Sequence, residues 1–183
     1  MPHIELQENI PGIKSLFLFR PDTGQALYEL AQVILREESP LSIAERELIA
    51  AFVSRQNECI FCTNSHAASA RVLYESEEGL VDFALNDYQN STLSDKMKSL
   101  LKISECVAKD ARTVSNEIIE EARKNGAQDR EIHDTVLIAA SFCMFNRYVD
   151  GLDTFTPLDN ELYKQMGERM ANNGYVTTPA ANK

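Results

Sequence analysis

Helix-start signals recur along this sequence, and no segment shows the alternation of polar and apolar residues that is typical of a strand. The clearest signal is a capping box, in which Ser42 stands three residues before Glu45. Further predicted N-caps are Ser76, Ser94, Ser115 and Asp129. The predicted helices cover residues 25–37, 43–55, 59–74, 77–85, 94–109, 116–124, 130–150 and 160–171. We therefore expect an all-α helical bundle.

The length of 183 residues is typical of one domain, and we expect a single domain over residues 1–183. Its core is predicted at about residues 10–155, followed by a C-terminal helix and a mobile tail within 156–183. Residues 1–24 contain repeated proline and glycine, which predicts a loop-rich lead. The stretch 135–145 is apolar nearly all round, so we expect it to be buried centrally or in a subunit interface.

The acidic composition limits the classes of partner. The formal net charge is −10, spread along the chain, which argues against nucleic acid or an anionic membrane as the main partner. The first residues lack the pattern of a signal peptide, and no apolar run approaches the length of a bilayer span. We therefore expect a cytoplasmic protein. In that compartment a CxxC pair among four cysteines indicates catalysis or metal binding rather than a disulfide framework.

The stretch 47–66 concentrates the residues with chemistry. Cys59, Cys62 and His66 are spaced i, i+3 and i+7, so a helix would place all three side chains on one face. Thiolates are the reactive form of cysteine and are stabilised near a helix N-terminus or a base. A second thiol can condense with an oxidised sulfur to form a disulfide. Glu47 is a candidate to orient His66 or to accept its proton, which completes the outline of a redox site.

Residues 42–66, SIAERELIAAFVSRQNECIFCTNSH, resemble the central motif of the alkylhydroperoxidase D-like proteins in the carboxymuconolactone decarboxylase superfamily. The matching positions are Glu47, Cys59, Cys62 and His66. Residues 145–153, FNRYVDGLD, resemble a segment of the peroxidase-related branch. The resemblance implies an all-helical domain that assembles into homo-oligomers, commonly trimers or hexamers. It also implies a peroxidase or disulfide-reductase cycle in antioxidant defence.

The resemblance also implies a role for each site residue. Cys62 would attack the hydroperoxide, Cys59 would resolve the oxidised sulfur, and His66 with Glu47 would relay protons. The reductant would be an external dithiol, such as a lipoyl-bearing protein, and no cofactor or metal is implied. One position departs from the founding enzymes, since Phe61 stands where they have a second histidine. That substitution indicates a shorter relay, a weaker peroxidase or a different substrate.

Three alternatives remain open from the sequence. A structural zinc site could use both thiols and His66, with His133 or Cys143 as a distant fourth ligand, although both fall in a core pattern. A decarboxylase acting on small lactones or acids would share the fold but would not depend on paired thiols. A non-catalytic redox-sensing or zinc-stabilised domain is the third. The other cysteine, Cys106, lies in an apolar helical stripe and is expected to be structural.

Overall fold

The protein is described here by a computed structural model, which covers residues 1–75 and 79–175. Those ranges contain helices and no strand, so the all-α prediction is confirmed. The helices are α1 (Ile13–Phe19), α2 (Pro21–Arg36), α3 (Ile43–Gln56), α4 (Ile60–Tyr74), α5 (Leu80–Asp87), α6 (Asp95–Asp110), α7 (Asn116–Lys124), α8 (Asp129–Gly151) and α9 (Asn160–Asn173). Short 3₁₀ turns follow α5 and α6. No helix in the described ranges is both long and apolar enough to cross a membrane.

Most predicted helix starts are confirmed. The Ser42 side chain accepts a hydrogen bond from the Glu45 N–H, and the Glu45 carboxylate accepts one from the Ser42 N–H. The hydroxyls of Ser94 and Ser115 cap α6 and α7 by accepting hydrogen bonds from the N–H groups of Met97 and Ile118. The predicted cap at Ser76 lies outside the described residues.

The predicted cap of the longest helix is wrong by one position. Gln128 is the N-cap of α8, and Asp129 is its first residue. The Gln128 N–H donates to the Glu131 carboxylate over 2.8 Å, which is the bond that fixes this start. Glu131 therefore decides where the helix begins, by reaching back three residues.

The prediction of a loop-rich lead over residues 1–24 is also wrong. This segment contains α1 and the beginning of α2. Pro21 is the first residue of α2, a position where its missing N–H costs nothing. Gly24 lies inside α2, where an added Cβ would come within 2.8 Å of the Phe17 backbone. The residues that we interpreted as loop punctuation instead start a helix and allow two helices to pack closely.

Helix α3 lies at the centre of the molecule and is buried on all sides. It packs against α4, α8 and α6, and its buried residues include Leu48, Ile49, Phe52 and Val53. Helix α8 is less enclosed than its apolar stretch 135–145 suggests. Its Ile138 and Phe142 face the core, whereas Leu137 and Met144 are exposed. The opposite side of this stretch is therefore open to solvent in the single chain.

Helix α9 covers α4 through a contact that only a glycine allows. At Gly167, an added Cβ would lie 2.6 Å from the backbone and side chain of Ala68 on α4. The two helix backbones therefore approach closely. This packing places the end of α9 and Tyr175 beside Glu47 on α3 and His66 on α4.

Candidate active site

Both CxxC thiols lie buried at the beginning of α4. Cys59 is the N-cap residue and Cys62 is the third residue of the helix, with 0% and 3% of their surfaces exposed. Both are free thiols. The Cys59 side chain is hydrogen-bonded to that of Cys62, and this bond together with burial raises the pKa of Cys59 far above its ordinary value. Cys59 therefore keeps its proton, and its thiol is placed to donate to the sulfur of Cys62.

A polar network fixes the turn that leads into the first thiol. Glu58 adopts a left-handed conformation with φ of 61°, and the Cys59 N–H donates to the Ser54 carbonyl over 3.0 Å. The Asn57 amide donates to Asn146 on α8 over 2.9 Å, and Asn146 donates to the Ser54 hydroxyl over 3.0 Å. Asn146 is buried and belongs to the second motif, FNRYVDGLD. That motif therefore holds the turn before Cys59 in place.

Glu47 and His66 form a buried pair between α3 and α4. The Glu47 Oε2 atom lies 2.7 Å from His66 Nδ1. The other oxygen, Oε1, accepts a hydrogen bond from Arg36 Nη2 over 2.6 Å and one from the Tyr175 hydroxyl over 2.5 Å. Burial opposes ionisation of Glu47, but the charges of His66 and Arg36 and these hydrogen bonds outweigh it and hold the pKa of Glu47 below its usual value. Glu47 is therefore an anion.

The ionised carboxylate decides which nitrogen of His66 carries a proton. A carboxylate only accepts hydrogen bonds, so His66 Nδ1 must donate to it. When the ring is neutral, its Nε2 atom is an acceptor that can take a proton from another group. The ring is held by the edge-on contact with Phe142, at 4.6 Å between centroids, and by Tyr175 stacked at 6.1 Å. His66 lies one helical turn after Cys62, on the same side of α4.

Phe61 lies in an apolar cluster with Ala68, Val149 and Tyr163. It is buried, with its ring centroid 6.2 Å from that of Tyr163, and its ring lies where a side chain on Gly12 would have to go. Phe61 and His66 are five residues apart, which places them on different sides of α4. Position 61 therefore supplies no second imidazole beside the Glu47–His66 pair.

The remaining candidates have other partners. His133 Nδ1 is bound to Asp134 over 2.9 Å, and Cys143 is contacted by the Asn57 amide at 3.5 Å. Cys106 is buried. Among residues 1–75 and 79–175 no group of three His, Cys, Asp or Glu side chains could hold a metal ion. The structure thus brings together all four predicted site residues as two neighbouring pairs and leaves His133 and Cys143 in separate contacts.

Sequence reasoning missed two residues of this site. Arg36 ends α2 and carried no signal beyond a basic residue in a last helical turn. Tyr175 lies in the predicted mobile tail, and for this residue the prediction is wrong, because its hydroxyl is bound to Glu47 and its N–H donates to the Gln32 side chain over 2.9 Å. Residues 176–183 of the predicted tail lie outside the described residues. No sequence pattern marks Tyr175, since its partners are far away along the chain.

Comparison with known proteins identifies the family of the chain. The model of the carboxymuconolactone decarboxylase family matches residues 21–82 and 74–156. The chain belongs to that family, and the superfamily indicated by its motifs is confirmed. No protein of curated function matches the chain.

Solved structures share the fold. A protein from Ralstonia eutropha JMP134, described as an alkylhydroperoxidase AhpD core and an uncharacterized peroxidase-related protein, is 23% identical, with a TM-score of 0.76 over 86% of this chain and 81% of its own. An uncharacterized peroxidase-related protein from Silicibacter sp. TM1040 is 24% identical, with a TM-score of 0.76 over 85% and 79%. A cysteine-to-alanine variant of the debrominase Bmp8, in complex with 2,3,4-tribromopyrrole, is 14% identical, with a TM-score of 0.71 over 86% and 83%. At these identities the similarity establishes the fold.

Proposed function

We propose that this protein is a thiol-dependent peroxidase and disulfide oxidoreductase that reduces hydroperoxides through Cys62 and Cys59. The observation that carries the proposal is the pair of free, hydrogen-bonded thiols at the start of α4, with His66, bonded to the Glu47 carboxylate, one helical turn away. Neither half would be sufficient alone. Paired thiols also occur in structural sites, and a buried Glu–His pair can be purely structural.

The first step is attack of the Cys62 thiolate on the outer oxygen of the hydroperoxide. His66 Nε2 takes the Cys62 proton, and Glu47 stabilises the imidazolium through Nδ1. The new bond joins sulfur to the hydroxyl oxygen, and the O–O bond breaks. The leaving alkoxide takes the proton back from His66 and departs as an alcohol. The products are a sulfenic acid on Cys62 and ROH, so the peroxide has been reduced by two electrons.

The second step closes the disulfide. The Cys59 sulfur attacks the Cys62 sulfenic acid, and hydroxide leaves and takes the Cys59 proton to become water. Two residues between the cysteines and an existing contact between their side chains allow this closure without a large movement of the chain. The protein then carries a Cys59–Cys62 disulfide. An external dithiol restores both thiols by exchange and becomes a disulfide itself.

The relatives support this class of chemistry through their descriptions. Two of the structures that share the fold are described as peroxidase-related, one of them as an alkylhydroperoxidase core. A lipoyl-bearing protein is our proposed source of the reducing dithiol. We also propose that the protein works in the cytoplasm as a homo-oligomer, either a trimer or a hexamer. One structure with a similar fold is a debrominase in complex with 2,3,4-tribromopyrrole. A brominated pyrrole is therefore a useful second substrate to test beside the hydroperoxide.

The experiment compares single cysteine variants in cumene hydroperoxide turnover with a dithiol reductant. Cys62→Ser should abolish turnover, because it removes the attacking sulfur. Cys59→Ser should also stop the dithiol cycle, yet a sulfenic acid should form on Cys62 and react with a dimedone-type probe. Cys106→Ser is the matched control, since this cysteine lies in a separate buried position on α6 and should leave turnover unchanged.

Two outcomes would contradict the proposal. Full turnover by Cys62→Ser would show that the attacking group lies elsewhere. A Cys59→Ser protein that retains an enzymatic activity on small lactones or acids would instead favour the decarboxylase alternative, because that chemistry does not depend on paired thiols.

A further inference from the structure

The Glu47 carboxylate has more partners than a two-residue relay requires. Three donors reach its two oxygens, with Arg36 and Tyr175 both on Oε1 and His66 alone on Oε2. Arg36 is itself fixed, since Nη2 also donates to the Met170 carbonyl over 2.8 Å and Nη1 donates to the Leu35 carbonyl over 2.9 Å. One oxygen of the carboxylate is therefore occupied, and the other is reserved for His66.

We propose that Tyr175 is a positioning residue of the proton relay, which the segment after α9 delivers to the Oε1 atom of Glu47. The catalytic role of Tyr175 rests on the proposed function, whereas its hydrogen bond to Glu47 does not. The hydroxyl of Tyr175 donates to the carboxylate and acts on the reaction through Glu47 and His66. Arg36 shares the same oxygen and supplies the opposite charge.

The position of Tyr175 depends on the turn at Gly174, directly before it. Gly174 has a φ of 68°, a conformation that glycine adopts without strain, and the helix α9 ends there. The Tyr175 N–H then donates to the Gln32 side chain on α2. The guanidinium of Arg36 lies 4.8 Å from the centre of the Tyr175 ring, which is within cation–π range. The ring is thus held between Arg36 and the imidazole of His66, where it limits access of water to the Glu47–His66 bond.

The hydroxyl has a defined electrostatic effect. The charged and titratable groups that act on Glu47 are Arg36 from α2, Arg46 from α3, His66 from α4 and Tyr175 from the C-terminal segment. Helix α8 presents the apolar ring of Phe142 to His66. Because each hydrogen bond to the anion stabilises it, Tyr175 makes Glu47 a weaker base. The proton on Nδ1 then stays with His66, and the imidazole keeps the orientation that leaves Nε2 free.

The test is a carbon-13 NMR titration of the Glu47 carboxyl in the reduced protein, with the signal assigned by its absence in Glu47→Gln. Tyr175→Phe keeps the ring and removes only the hydroxyl. It should raise the pH at which Glu47 takes up its proton by about half to one pH unit. If the protein unfolds before Glu47 is protonated, the pH midpoint of acid unfolding should rise instead by a similar amount. Tyr175→Phe should also slow oxidation of Cys62 by cumene hydroperoxide at pH 7 by roughly tenfold, a part of what a positioned base contributes.

Tyr88→Phe is the matched control, because the Tyr88 hydroxyl also donates to a carboxylate, that of Glu105, over 3.2 Å. It should leave the titration of Glu47 and the oxidation rate unchanged. An unchanged Glu47 titration in a folded Tyr175→Phe protein would overturn the positioning role. The titration needs no peroxide, so a shifted titration in a protein whose Cys62 never oxidises would overturn the proposed function and leave the position of Tyr175 intact.

Discussion

At the scale of single residues, the site is defined by how completely Glu47 is enclosed. A carboxylate with none of its surface exposed would ordinarily be protonated, because burial disfavours the charged form. Here Arg36 supplies a positive charge and a hydrogen bond to one oxygen, and His66 Nδ1 is bonded to the other. Breaking such a buried pair by removing one partner is costly, since the other is left without compensation.

Replacement of Glu47 by glutamine should therefore destabilise the protein by about 3 kcal/mol at pH 7. The pKa of Glu47 is lowered in the folded state, so its stabilising effect is present above the ordinary value of 4.5 and is lost as the pH falls below it. Glu47→Gln should thus lose less stability than the native protein between pH 6 and pH 3.5. Urea unfolding at both pH values measures this.

Glu29→Gln is the control for that comparison, because Glu29 is exposed on α2, where its carboxylate accepts a hydrogen bond from the Gln25 side chain. Its pH dependence should match that of the native protein. If Glu47→Gln shows the same acid sensitivity as the native protein, Glu47 is not ionised in the folded state and the relay described here is incorrect.

At the scale of helices, the sequence predicted the helix starts that are set by hydrogen bonds between neighbouring residues. The capping box at Ser42, the cap at Ser115 and the span 116–124 follow from hydrogen bonds within a few residues, and the structure agrees with them. The prediction failed for α1 and Gly24, since a glycine inside α2 is explained only by the approach of Phe17. The same reason applies to Tyr175. Its place is set by Gln32, Arg36 and Glu47, partners that no periodicity in the sequence can reveal.

The contact between α4 and α9 provides a test at this scale. Gly167→Ala should destabilise the protein by about 2 kcal/mol, because the new methyl group would collide with Ala68. It should also loosen the segment that carries Tyr175, so amide exchange in α9 should accelerate. Gly151→Ala is the matched control, with open space around its Cβ position, and should be neutral or slightly stabilising. Equal effects of the two substitutions would show that α9 does not pack tightly on α4.

At the scale of the whole molecule, the site exists only in the folded chain. Glu47 comes from α3, both thiols and His66 from the start and middle of α4, Arg36 from α2 and Tyr175 from beyond α9. The spacing of Cys59, Cys62 and His66 predicted these three residues together, since they lie within eight residues of one another. The chain belongs to the carboxymuconolactone decarboxylase family and shares the fold of solved structures. What the fold adds is the enclosure of Glu47 and its bonds to Arg36 and Tyr175, next to a pair of reduced thiols.

The central claim is that a hydroperoxide oxidises Cys62 and that Cys59 then closes a disulfide with it. Its most direct test is the intact mass and peptide map of the reduced protein before and after one equivalent of cumene hydroperoxide. The account predicts the loss of two hydrogens within seconds and a disulfide that maps to Cys59–Cys62. Thiols that remain unmodified after this treatment would contradict it.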